Sequence, residues 1–462
     1  MNSTSGVLIL GERKAVALQR QRDAVQSLGL WVPLIPVLLL IAFGDLRFGN
    51  LGESLSSTNR LLAVFGTALL MVHLALVARI PWIERILGLD KMTSAHKKLG
   101  KPLVGVLLAH MIASLAAFAA VSRISIWQAV TDLNLHYLSV GLATVGLLLM
   151  LVVTISSIRA ARKVLSYEAW FLIHLTAHIA VAIAIPHQYE LGTDLLAQPP
   201  VASFFTLLYA FVFGNMLVFK LITPLVMSFR SKLKIAKIQR LDERTIYVEI
   251  SGKNLGSFDF QAGQFFMLRI LTGKQWWRPH PFSLSHFDNQ SLGFTIGIRG
   301  DDTSWLTENQ VGTSVILEGP FGVFTELKRS KQDVVLMGSG IGITPILSLA
   351  NTVAAQPGDV SILYRVSDLA SAPLLSELEA VASERGHVLQ VEAGPRGQGG
   401  VLSANSDSLN SNDASQMLSK FPKLHSSDIY ICGPKPWTDK VLDTLDQLGV
   451  AKTQIHLEEF AW

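Results

Sequence analysis

The chain has 462 residues, 50% of them hydrophobic and only 16% charged, with a mean hydropathy of +0.39. That balance excludes a single ordinary soluble domain, which carries about 25% charge, and one cysteine, Cys432, excludes a disulfide framework or a thiolate-built zinc or iron–sulfur centre. The net charge of +4 and isoelectric point near 9.0 would suit nucleic acid, but the basic residues stand in loops between apolar runs, so no nucleic-acid partner is expected.

In chain order, residues 1–28 read as a polar, solvated tail, with an amphipathic surface helix as the alternative. Six apolar runs follow, at about residues 29–44, 61–78, 102–122, 137–155, 169–186 and 201–223. Most approach the ~18–20 residues that a hydrocarbon core requires. The first carries Pro33 and Pro36 and a basic flank, and so also resembles a signal-peptide core. No small-residue cleavage site follows it and five more runs do, so it reads as a retained span. Lys and Arg fall mainly in alternate connections: four in the tail, then Arg79, Arg85, Lys91, Lys97, Lys98 and Lys101, then Arg159, Arg162 and Lys163. The positive-inside rule therefore predicts a multi-pass protein of the plasma membrane with the N-terminus and everything after residue 224 in the cytoplasm.

Histidines inside these runs carry the chemical signal, because ionisable residues at membrane depth are costly and mark function. His96 and His110 lie 14 residues apart on the third run, His174 and His187 lie 13 apart on the fifth. Both runs cross in the same direction, so His96 can pair with His174 and His110 with His187, at two levels about 20 Å apart along the helices. Two neutral imidazoles on facing helices can supply both axial ligands of a haem iron, which leaves no open position and favours electron transfer. The spacing predicts two such haems. In an ideal helix 14 residues return to within about 40° of the same face, whereas 13 miss by about 140°, so Pro186 is expected to re-aim His187. His96 also precedes its apolar run, so the third helix must continue below Pro102 or the fifth must start deep. The alternative for each histidine is an interhelical hydrogen bond. His73 and His178 are assigned to that class, with His178 a possible substitute ligand.

After Pro224 the pattern changes to short alternating strands such as Leu233 to Ile238 and Thr245 to Ile250, which predicts a small antiparallel barrel. From Asp333 strands alternate with a glycine turn and helices, predicting a parallel doubly wound sheet. Gly338, Gly340 and Gly342 stand between strand and helix, where backbone can approach a pyrophosphate; a tight turn without ligand is the alternative. The fold class is thus a six-helix transmembrane bundle, an antiparallel β-barrel and an α/β doubly wound domain, with boundaries 1–28, 29–223, 228–328 and 332–462.

The strings RPHPFSLS at 278–285, EGPFG at 318–322, MGSGIGITP at 337–345, ICGP at 431–434 and the terminal Phe460-Ala461-Trp462 together resemble the ferredoxin-reductase-like dehydrogenase module. Joined to six helices with paired histidines, the chain over about residues 29–462 resembles the NADPH oxidase and ferric reductase superfamily. The resemblance implies an FAD site at His280, Pro281, Phe282, Ser283 and Ser285, with the diphosphate at Gly300, Thr303 and Ser304 and Trp462 covering the flavin. Gly297 departs from the basic residue expected there, a role left to Arg278 or Arg299. It implies a nicotinamide dinucleotide site at Gly338, Gly340, Gly342, Thr344 and Pro345, with Cys432, Gly433 and Pro434 as its wall. Arg365 and Ser367, just past the second strand, are expected to bind a 2′-phosphate and favour NADPH, with NADH also possible.

The implied activity is that of an NAD(P)H-dependent oxidoreductase: electrons from cytoplasmic NADPH cross through FAD and two b-type haems, the inner held by His96 and His174, the outer by His110 and His187. The external acceptor is dioxygen, giving superoxide, or a ferric chelate. A second class is a membrane-anchored flavin reductase that serves a partner protein or quinone; a third is a haem-free tether with structural histidines.

Overall fold

The computed structural model describes residues 3–272, 276–288, 290–298, 303, 306, 310–394, 401–402 and 413–459. It forms two compact units, one of Asp23–Ile80 and Lys91–Phe219, the other of Met1–Arg22, Pro81–Asp90 and Lys220–Trp462. Six helices are long and apolar enough to cross a membrane.

The helices in order are α1 (Ser3–Trp31), α2 (Ile35–Phe43), α3 (Leu51–Ala75), α4 (Pro81–Leu87), α5 (Leu89–Ser122), α6 (Ile126–His136), α7 (Leu138–Ser156), α8 (Arg159–Val164), α9 (Tyr167–Glu190), α10 (Thr193–Ala197), α11 (Pro199–Asn215) and α12 (Thr223–Ser231). Polar residues fix several starts. Asn50 Oδ1 accepts the Glu53 N–H at 3.0 Å and opens α3; Ser166 Oγ accepts the Ala169 N–H at 3.2 Å and opens α9. Two alternatives that the sequence left open are decided here. The segment expected as a solvated tail is helical from Ser3, and it continues through one 3₁₀ turn at Val32–Leu34 into α2. The third span begins at Leu89 and runs unbroken through Pro102, so the helix does continue below that proline.

The membrane helices show apolar side chains outward: Leu148, Val152 and Ile155 on α7 and Leu172, Leu175 and Ile179 on α9 are all exposed. Such a surface suits lipid rather than water. Inside, Leu40, Ala68, Val201 and Val212 are fully buried. Close packing of α7 on α9 depends on Gly146, where a Cβ would stand 2.7 Å from the Ala180 carbonyl oxygen; small residues let membrane helices approach in this way.

In the second unit, β1 (Lys234–Arg240), β2 (Thr245–Ser251), β3 (Phe265–Ile270), β4 (His280–Phe287), β5 (Ser291–Gly297) and β6 (Val315–Phe321) form an antiparallel sheet in the order β1-β2-β5-β4-β3-β6. Its two edges meet: a bridge joins Lys234 to Ser314, and Ile235 N–H donates to the Thr313 carbonyl at 2.9 Å. Closure removes the open edges and makes the expected barrel, filled by Ile246, Val248, Phe266, Leu284 and Phe294 among others. Beyond it, β7 (Asp333–Ser339), β8 (Val360–Arg365), β9 (Val388–Glu392), β10 (Ser427–Gly433) and β11 (Ile455–Glu459) form a parallel sheet in the order β11-β10-β7-β8-β9. The order reverses between β7 and β10, and ligands of open α/β sheets bind outside the carboxyl ends of strands at such a point.

Candidate functional site

Within the helical unit the structure brings together both predicted histidine pairs. The ring centroids of His96 and His174 are 6.0 Å apart, and those of His110 and His187 are 6.4 Å apart. Each histidine of the first pair stands seven residues past the first residue of its helix, Leu89 or Tyr167. The second pair forms although α9 continues as one helix through Pro186 to Glu190.

These separations test whether the residues fit a metal between them. Metal–imidazole bonds of about 2.0–2.1 Å, added to the ring radii, put the centroids of two histidines on opposite sides of one metal about 6 Å apart. Both pairs meet that distance. Protonation is also prepared. His96 Nδ1 donates to the His73 carbonyl at 3.3 Å, and His187 Nδ1 donates to the Ala184 carbonyl. A carbonyl can only accept, so Nδ1 carries the hydrogen in each ring and Nε2 keeps its lone pair, the arrangement of a metal-ligating histidine. His178, the substitute ligand considered from sequence, is exposed and bonded through Nδ1 to the Leu175 carbonyl one turn back.

Sequence reading missed several neighbours. Arg60 makes a two-pronged pair with Asp194 and also donates to the Asp45 carbonyl. Tyr209 donates to Gln188, the residue beside His187. The His174 ring lies 5.0 Å from the Trp170 ring, over which the Arg162 guanidinium also stands at 4.3 Å. His73, assigned from sequence to interhelical hydrogen bonding, does bond across helices to His96, and it also stacks on that ring at 3.8 Å, which the sequence reading had not foreseen. Its signal was present in the chain, since the positive-inside rule puts the end of the second run that holds His73 on the same side as the start of the third, where His96 stands.

In the barrel, β4 presents the predicted flavin residues. Phe282 is half-buried and parallel to the His280 ring, with centroids 6.2 Å apart, while Ser283 is buried. Ser285 differs from expectation: its hydroxyl donates to the Gly293 carbonyl at 3.1 Å and accepts from Thr295 at 3.0 Å, so it braces the barrel. Thr303 Oγ1 donates to the Gly297 carbonyl at 3.3 Å. Gly300, Ser304, Arg299 and Trp462 lie outside the described residues. Next to Phe321, the Gly322 N–H donates to Glu84 Oε1 at 2.8 Å. Glu84 is buried on α4, and burial pushes its pKa up to about 7. Glu458 on β11 is raised well above the carboxylate range, by burial first and then by Asp90 and Glu84.

At the sheet's reversal point the three glycines act differently. Gly340 has φ +55° and open space around it, so it makes the turn. A Cβ on Gly342 would stand 2.3 Å from the Cys432 carbonyl oxygen, so only glycine permits this approach of turn to β10. A Cβ on Gly338 would press on the Ile343 side chain at 2.9 Å. Thr344 Oγ1 donates to the Ile341 carbonyl at 2.8 Å and braces the turn, and Pro345 is buried in the first turn of helix Ile343–Thr352. Gly433 ends β10 and Pro434 caps helix Lys435–Gln447. Cys432 is wholly buried in the core, and burial pushes its thiol pKa up, so it offers the wall backbone rather than sulfur.

Arg365 corrects an expectation. Its side chain is buried, and its guanidinium donates to the carbonyls of Val366, Glu392 and Gly394. Binding a 2′-phosphate would break those bonds, so Arg365 ties β8 to the end of β9 and gives no support to a preference for NADPH. Ser367 remains exposed beyond it.

Known proteins share both parts of this chain. Residues 62–185 match the family described as ferric reductase like transmembrane component, and residues 230–325 match an FAD-binding domain. The chain is 28% identical over 226 residues to the ferredoxin reductase component of 3-ketosteroid-9-alpha-monooxygenase from Rhodococcus rhodochrous, covering 47% of this chain and 61% of that protein. It is 26% identical over 228 residues to a flavohemoprotein of Vibrio cholerae, covering 47% of this chain and 55% of that one. The chain thus spans somewhat more than half the length of these two relatives. The FAD/NAD binding domain of nitric oxide dioxygenase from Vibrio cholerae is a similar solved structure, with 21% identity, 49% of this chain and 98% of that chain covered, and a TM-score of 0.39.

Proposed function

Because the chain joins a ferric-reductase-like transmembrane component to an FAD-binding domain, the architecture of the NADPH oxidase and ferric reductase superfamily, we propose that it is an oxidoreductase carrying electrons across the membrane. The donor is a reduced nicotinamide dinucleotide, NADPH or NADH, in the cytoplasm. The acceptor is outside, either dioxygen reduced to superoxide or a ferric chelate reduced to the ferrous state. One hydride supplies two electrons, two acceptor molecules each take one, and one proton is left on the donor side.

The observation that carries the reading is the pair of histidine separations, 6.0 and 6.4 Å, on the same chain as a flavin barrel and a dinucleotide turn. His96 with His174, and His110 with His187, would hold two b-type haems. Phe282 and Ser283 would seat FAD, and the turn from Gly338 to Pro345 would seat the dinucleotide phosphates at a helix N-terminus. When bound, FAD converts a hydride into single electrons and a haem with two histidine ligands carries one electron at a time. The protein's own work is placement. Backbone carbonyls fix the imidazole tautomers of His96 and His187, and glycines admit phosphate to the turn.

A second reading is favoured by the relatives' own descriptions, since several are named as reductase or electron transfer components of oxygenases. In that reading the chain delivers electrons to a partner protein or quinone. Purified protein loaded with FAD and haem separates the two. Sustained NADPH or NADH consumption with dioxygen or ferric citrate, giving superoxide or ferrous iron, supports the transmembrane enzyme. Flavin reduction with neither acceptor consumed contradicts it and favours partner delivery.

A further inference from the structure

His73 belongs to no predicted pair, yet its placement is more constrained than that of a space-filling residue. It is buried on α3 with its ring stacked on His96, centroids 3.8 Å apart and planes 18° apart. The two residues bond each other reciprocally: His73 Nε2 donates to the His96 carbonyl at 3.0 Å, and His96 Nδ1 donates to the His73 carbonyl at 3.3 Å. Gly100 on α5 lines the space, since a Cβ there would stand 3.6 Å from His73 Nε2. Because Nε2 of His73 faces a carbonyl it carries the hydrogen, so that nitrogen is committed as a donor.

We propose that His73 is a positioning residue for the inner haem ligand. It holds the His96 ring in one orientation and one tautomer, with Nε2 directed to the His174 side. The physical basis is general. A ligating imidazole whose other nitrogen donates to a carbonyl has its tautomer and ring angle fixed and its basicity raised, and losing such an outer partner costs about 10–100-fold in metal affinity. Here the partner carbonyl belongs to His73, and the stack and the return bond hold that residue in register with His96 across two helices. His187, by contrast, donates to a carbonyl of its own helix. The proposal rests on the reading that His96 and His174 hold a haem.

Full-length protein in detergent tests it with three variants. His73→Phe keeps an aromatic ring and removes the N–H; His73→Gln keeps an N–H donor and removes the ring; His96→Ala removes the ligand. Haem content by pyridine haemochrome and the low-spin signals by electron paramagnetic resonance are read on each. The expected result is that wild type binds two haems and His96→Ala binds one. His73→Phe keeps the His73 carbonyl but loses the return bond that holds it in register, so it should weaken one haem by up to about 10-fold and shift one low-spin signal while the other is unmoved, and His73→Gln should restore much of the loss. If His73→Phe and His73→Gln both retain two haems with wild-type signals, the positioning role is wrong while the haem reading stands. If His96→Ala binds as much haem as wild type, the haem reading fails first and the proposal falls with it.

Discussion

A methyl group on Gly342 would sit 2.3 Å from a backbone oxygen of β10, whereas one on Gly340 would meet nothing but would carry a left-handed φ of +55°. The two alanine variants should therefore fail differently. Gly340→Ala costs about 1–2 kcal/mol of backbone strain. Gly342→Ala must also push the turn from the sheet, and it should raise the KM for the dinucleotide at least about 10-fold, measured by steady-state flavin reduction. For Arg365→Ala the three lost carbonyl contacts predict a lower melting temperature with the NADPH-to-NADH preference unchanged, checked by thermal melts and by KM for each donor. A clear loss of NADPH selectivity would restore the phosphate role. The residues legible in sequence were those whose chemistry is expensive where they stand, such as histidines in apolar runs and glycines between strand and helix. Arg365 misled because a basic residue after the second strand looks the same whether its side chain faces solvent or folds back on carbonyls.

Elements were legible where periodicity was long and failed at their ends. The six membrane helices follow from apolar length, but α5 starts well before its apolar run because the segment from Leu89 to Lys101 is rich in polar residues and still helical. The short helix α4 was invisible from sequence, since its seven residues have no period to read. It packs within the barrel's unit through the Glu84 bond to Gly322, the Arg85 pair with Asp259 at 3.4 Å, and the Lys328 bond to the Arg85 carbonyl at 3.3 Å. Leu89 packs with Phe265, Met267 and Phe321. The charged groups facing Glu84 are Asp90 and Arg85 on its own segment and Glu458 on β11. Its pKa is raised from 4.5 to about 7, so the folded state holds the proton to higher pH than the unfolded chain. Stability therefore falls as pH rises from about 4.5 to about 7 and levels off above, by up to about 3 kcal/mol. Glu84→Gln should flatten that fall, read as hydrogen exchange of residues 81–90 at about pH 5.5 and about pH 8. A slope unchanged in the variant would show that Glu84 does not carry it.

At the scale of the whole molecule, one chain carries both a nucleotide-and-flavin module and a membrane bundle with two histidine pairs. The order of parts and the histidine pairing were legible in the sequence, because matched spacings on helices of the same direction admit few alternatives. The acceptor was not, since the connections that the positive-inside rule puts outside are short and offer no distinctive ligand set in sequence. Electron transfer within a single chain is therefore the central claim. The direct test is an anaerobic visible spectrum of detergent-purified protein loaded with FAD and haem, before and after NADPH or NADH. The account predicts flavin bleaching together with reduction of a low-spin b-type haem, and loss of the haem signal in His110→Ala combined with His96→Ala. Flavin bleaching with no haem band, or with a haem band that does not change, would contradict it.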